Sequence, residues 1–196
     1  YTVSARGDKG TIEADKTVEA SFTNAYSAKA ATLPAESGFK AYKVLEGRDW
    51  MDSDEFDVQL KAIDGAPMPS GAEDGVLVKT LTKDAREIAF GEIQYPAVGT
   101  YTYEISEVPG KLAGITYSQV VYTVSVEVKD AGDGKLETSF DGKYVVKDDQ
   151  DASPAAIAEF VNSYGATVPA KPVATSSLFS NCLLYTSDAA DEARSV

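Results

Sequence analysis

Histidine is absent from the 196 residues, and cysteine occurs once, as Cys182. The first absence removes the side chain most used for general acid–base work near neutral pH and for zinc or copper ligation. The second leaves no internal disulfide and no paired-cysteine metal or redox motif. No apolar run reaches the roughly 20 residues of a spanning helix, and no signal peptide opens the chain. Positive charge is scarce as well: 18 Lys and Arg stand against 31 Asp and Glu, a net charge of -13. A chain this acidic repels phosphate backbones and anionic lipid, so neither nucleic acid nor membrane insertion is expected. The carboxylates around Asp130, Asp133 and 147–151 lack the oxygen spacing and closing glutamate of a calcium loop, and nothing brackets a carboxylate pair with a substrate cleft.

What is present is β-patterning. Val120, Tyr122, Val124, Val126 and Val128 alternate with mostly polar partners, as do Tyr101, Tyr103 and Ile105, and Phe56, Val58, Leu60 and Ala62. A period of two with one apolar face is the signature of a half-buried strand. Pro96 and Gly99, Pro109-Gly110, and Gly132-Asp133-Gly134 supply turn chemistry between them. The expected fold is all-β, an antiparallel β-sandwich. The stretch between Gly65 and Gly75 is left open as a short helix or an ordered loop.

The chain also echoes itself. Ser21-Phe22-Thr23-Asn24-Ala25-Tyr26 is similar to Glu159-Phe160-Val161-Asn162-Ser163-Tyr164, which predicts two copies of a closing strand. Residues 1–30 are then the end of a preceding repeat with its linker, carrying an orphan Asn24, and 31–167 a complete domain. Residues 168–181 read as a Pro/Ala/Ser linker. Residues 182–196 resemble a translated sequencing adaptor and are read as an artefactual tail. Arg6-Gly7-Asp8 spells an integrin-type tripeptide, but Gly and Asp are ordinary turn residues.

Three polar side chains fall on core faces by parity. Lys43 shares a face with Phe39, Ala41 and Leu45; Glu107 continues the face of Tyr103 and Ile105; Asn162 lies between Phe160 and Tyr164. Glu104, the rival acid, points outward by the same count. Unpartnered burial of such groups is costly, so they are expected to meet. Burial favours a neutral amine at Lys43 and a protonated carboxyl at Glu107. A neutral amine is a nucleophile, and Glu107 is expected to hydrogen-bond the Asn162 carbonyl and relay protons as ammonia leaves. The product is an amide between two side chains, formed once per molecule without a cofactor.

Several runs resemble the Gram-positive pilin isopeptide-linkage domain in order along the chain. They are Ala41-Tyr42-Lys43-Val44-Leu45-Glu46-Gly47-Arg48-Asp49, then 99–107 (Gly99 to Glu107), Gly114-Ile115-Thr116-Tyr117, Val121-Tyr122-Thr123-Val124 and Phe160-Val161-Asn162-Ser163-Tyr164. The resemblance implies an immunoglobulin-like antiparallel β-sandwich whose first and last strands are cross-linked, with Lys43 and Asn162 joined and Glu107 as the catalytic acid. It implies a stalk or shaft repeat of a pilin or adhesin, extracellular and attached to the cell wall, rather than a turning-over enzyme. Implied partners are neighbouring repeats of the same polypeptide, other pilin subunits or host surface ligands. A ligand-binding adhesin module on the same fold is the alternative.

Overall fold

A computed structural model describes residues 2–4, 23–149 and 151–165; Arg6-Gly7-Asp8, Cys182, the linker and the tail lie outside them. The alternating segments become strands, and two of them lie in the longest strands, β9 (Gly99–Val108) and β11 (Val121–Asp130). Tyr122, Val124, Val126 and Val128 of β11 are buried while Ser125 and Glu127 are exposed, the two-residue period of a pleated strand with one wet face. In chain order the other strands are β1 (Thr2–Ser4), β2 (Thr23–Ala25), β3 (Ala31–Leu33), β4 (Lys40–Glu46), β5 (Glu55–Ala62), β6 (Val76–Thr82), β7 (Glu87–Ala89), β8 (Ile93–Tyr95), β10 (Ile115–Thr116), β12 (Leu136–Ser139), β13 (Val145–Val146) and β14 (Ala158–Tyr164).

Between β5 and β6 the undecided stretch is an ordered loop without a helix. Its return into β6 is a tight turn: Asp74 and Gly75 both take positive φ, 48° and 76°, and Glu73 and Val76 exchange backbone hydrogen bonds of 2.9 Å each. Asp-Gly favours such a turn because Gly adopts the left-handed region freely and Asp tolerates it.

Two sheets make the sandwich. The larger runs β12-β11-β9-β5-β6, with β13 also paired to β11; the smaller runs β10-β14-β4-β7. A short β3–β8 pair and a β1–β2 pair complete the topology. Phe39, Ala41 and Phe160 from the side of the smaller sheet join Val58, Ile105 and Val126 of the larger one in a single buried core. Among the described residues all ladders between strands are antiparallel except one: β14 runs parallel to β4, with Lys43 opposite Phe160 and Leu45 opposite Asn162. The sandwich is antiparallel as expected, with this one parallel ladder joining its β4 and β14 strands. Parallel neighbours need a long crossover, and here the crossover is nearly the whole domain.

Candidate functional site

Each predicted site residue arrives through its strand's parity. β4 turns Ala41 and Lys43 inward, β14 turns Ala158, Phe160 and Asn162 inward, and β9 turns Tyr103, Ile105 and Glu107 inward. β4 and β14 are adjacent in the smaller sheet and β9 lies in the larger one, so the three side chains meet between the sheets. Lys43 and Asn162 are fully buried and Glu107 is 5% exposed.

The geometry is close. Lys43 Nζ lies 2.7 Å from Glu107 Oε1, and Asn162 Nδ2 donates to the same oxygen at 2.8 Å. The backbone N–H of Ser118 is shared: it donates to Glu107 Oε2 at 3.0 Å and to Asn162 Oδ1 at 2.8 Å. Because an N–H must face an oxygen, Ser118 fixes which way the Asn162 amide points. Glu107 therefore meets the amide nitrogen and not, as expected, the carbonyl oxygen. On its other side Lys43 Nζ stands 5.0 Å from the centroid of the Phe56 ring.

The charge state of Lys43 follows from this setting. Among the described residues Nζ has no partner in hydrogen-bond geometry, despite its short distance to Oε1. Burial lowers the Lys43 pKa below its ordinary value, and the adjacent Glu107 offsets only part of that shift. Loss of water penalises the ammonium more than one neighbouring carboxylate restores. A proton on Nζ has a short path to Oε1, and its transfer leaves a free amine lone pair beside the Asn162 amide.

The loops around the cluster are fastened. Arg48 grips Asp54 through two hydrogen bonds of 2.6 and 2.8 Å, and Met51 N–H donates to the same carboxylate at 2.8 Å. Asp54 is only 2% exposed, and Arg48 holds its carboxyl below the usual aspartate value. The Arg48 guanidinium also lies 5.2 Å from the ring centroid of Tyr164, at the end of β14. On the opposite loop the Tyr117 hydroxyl accepts from Leu112 N–H at 2.9 Å. A Cβ at Gly110 would come within 2.7 Å of that hydroxyl, so a larger residue there would have to displace the Tyr117 ring.

Glu104 faces outward and pairs with Lys147 at 2.6 Å, away from the cluster, in keeping with its parity. Asn24 lies in β2 opposite Val3 of β1. Asp130 and Asp133 serve turns and surface pairs, with Gly132 N–H and Tyr26 donating to Asp130 and Lys135 bonded to Asp133. Among the described residues no cluster of metal-ligating side chains occurs, and no helix is long and apolar enough to cross a membrane. The group that sequence reasoning missed is the N–H of Ser118. A backbone donor has no side-chain signature, although the Gly114-Ile115-Thr116-Tyr117 run leads directly to it.

These features define an all-β sandwich domain with a lysine, an acid and an asparagine buried together between its two sheets. The chain belongs to the Spy0128-like isopeptide-containing domain family, FctA, whose model matches residues 39–165. Three solved structures of Streptococcus pyogenes pilins are similar to it. The major pilin protein T-13 is 17% identical with a TM-score of 0.43, covering 71% of this chain and 56% of its own. The major pilin gives 19% and 0.42, covering 70% and 50%, and the major pilin protein T3.2 gives 20% and 0.40, covering 73% and 55%. The chain thus spans about half the length of these pilins. No curated protein sequence matches it.

Proposed function

We propose that this domain is a structural repeat of a cell-surface pilus shaft or adhesin stalk, locked by a self-formed isopeptide bond between Lys43 and Asn162 and promoted by Glu107. The observation that carries the reading is the buried triad, with Glu107 Oε1 at 2.7 Å from the amine and 2.8 Å from the amide nitrogen. One oxygen thereby touches both nitrogens that exchange places on the carbonyl carbon. Nζ attacks Asn162 Cγ, and a bond forms while the carbonyl π pair moves to Oδ1. Glu107 takes a proton from Nζ and delivers one to Nδ2. The Cγ–Nδ2 bond then breaks and ammonia leaves. The protein supplies proximity and proton transfer in a dry site, and the reaction runs once, without cofactor or turnover.

Family membership favours the shaft or stalk role, with localisation on the bacterial surface, attached to the cell wall. Partners are neighbouring repeats and other pilin subunits. Two echoes support a preceding repeat: Asn24 sits in the Phe22–Tyr26 copy of the closing strand, and Tyr1-Thr2-Val3-Ser4 repeats Tyr122-Thr123-Val124-Ser125. In the complete domain the second of these segments lies in β11 and does not pair with β14. The β1–β2 pairing therefore has no counterpart between β11 and β14.

The test is intact mass. The folded wild-type chain should be lighter than its encoded mass by one ammonia, and Lys43→Ala or Glu107→Ala should restore the full mass. A folded wild-type chain of full mass overturns the bond.

A further inference from the structure

We propose that the backbone N–H of Ser118 is the oxyanion donor for attack on Asn162, an inference that rests on the isopeptide reading above. Attack by Nζ turns the Asn162 carbonyl into a tetrahedral centre and moves negative charge onto Oδ1. The only hydrogen bond described to Oδ1 is the 2.8 Å contact from Ser118 N–H. Glu107 cannot fill this role in the observed arrangement, because it faces Nδ2. The donor lies between buried side chains and already contacts the oxygen on which the charge develops.

Its second contact gives the donor a place in the reaction. In the ground state the same N–H also serves Glu107 Oε2, at 3.0 Å. As charge grows on Oδ1, the N–H becomes more strongly bound to that oxygen and less to the carboxylate. Glu107 is thereby a better proton acceptor when Nζ must lose its proton. The final amide keeps an oxygen at Oδ1, so the contact outlasts the reaction. No proton leaves Ser118 at any step.

The position of the donor is set by the fold. Residues 117–120 cross from β10 in the smaller sheet to β11 in the larger one, so the crossing passes over the gap in which the triad sits. Tyr117, held by Leu112 and packed edge-on against Phe56 at 6.1 Å between centroids, anchors that crossing immediately before Ser118.

The experiment removes the N–H without changing any side chain. The full chain is assembled in denaturant from synthetic segments with the amide at residue 118 replaced by an ester, and folding starts the clock. Ammonia loss is followed by mass, beside the all-amide chain and a chain with the ester at residue 119. The expected result is about 100-fold slower loss in the 118 ester alone, the effect of deleting one oxyanion donor. Equal rates in all three chains overturn the inference and leave the bond standing. No ammonia loss from the folded all-amide chain overturns the bond itself. Should the 118 ester not fold, the Lys43→Met chain, which cannot react, supplies a second measurement. A scalar coupling from the Ser118 amide nitrogen to Asn162 Cγ across the hydrogen bond is expected, and its absence in the folded chain overturns the assignment.

Discussion

Lys43 and Asn162 sit on neighbouring parallel strands, two positions out of register, so that Lys43 is opposite Phe160 while Asn162 is opposite Leu45. In such a ladder residues two apart share a face. Both side chains therefore enter the core from the same sheet and approach the same acid on the opposing one. A covalent bond there joins the ends of the chain's longest excursion, and its consequences differ for stability, mechanics and pH.

Closing the loop over residues 44–161 restricts the unfolded chain. By analogy with a disulfide closing a loop of about 100 residues, the proposed bond should contribute about 4–5 kcal/mol. Asn162→Ala keeps the Lys43–Glu107 pair but cannot form the amide. Its denaturant midpoint should fall correspondingly, and a midpoint equal to wild type would contradict a stabilising cross-link.

Pulled from both ends, the wild-type domain should release no more than the segments outside the bond. Tension entering through β3 reaches Lys43 and crosses to Asn162 without loading the rest of the sandwich. In Glu107→Ala, residues 44–161 become extensible, adding a contour length of about 400 Å. The parallel β4–β14 ladder must first shear along its whole length, so the added length should appear in one abrupt step. Equal extension of the two proteins in single-molecule pulling would remove the mechanical role.

The Arg48–Asp54 clamp should be sensitive to acid. The folded-state pKa of Asp54 lies below its ordinary value of 3.8, so its contribution is present above that value and is lost as pH falls through the folded pKa. Asp54→Asn should lower stability at pH 7, on the order of 2 kcal/mol for hydrogen bonds to a charged group. The gap to wild type should shrink in acid. A gap independent of pH would show that the carboxylate's charge is not what the clamp uses.

Alkaline pH should act through the core tyrosines. Burial raises Tyr95 to about 12 and shifts Tyr103 upward as well, with their hydroxyls 3.1 Å apart. The folded state keeps protons that the unfolded chain releases near pH 10, so stability falls as pH rises from about 10 toward 12. Tyr95→Phe should flatten that fall when denaturant midpoints are compared across the range. An unchanged slope would assign the alkaline loss to other groups.

Strand parity was legible in the residues themselves. A pleated strand alternates its faces whatever it packs against, so the alternation around Lys43, Glu107 and Asn162 predicted their inward direction. The same count sent Glu104 outward, where it meets Lys147. Turn chemistry was local too: the segments holding Pro96, Pro109-Gly110 and Gly132–Gly134 do separate strands, and Gly99 opens β9. Neighbour choice is not local. Nothing in Lys40–Glu46 or Ala158–Tyr164 states that these strands pair, or that they run parallel, because pairing is decided by how the whole crossover packs. The β5–β6 loop was undecided for the same reason, its apolar residues being satisfied by tertiary contact rather than by helical period. The orientation of the Asn162 amide also needed the folded chain. It depends on a backbone N–H at Ser118 brought in by a loop 44 residues away, and every residue but proline carries that group, so sequence cannot mark the one that matters.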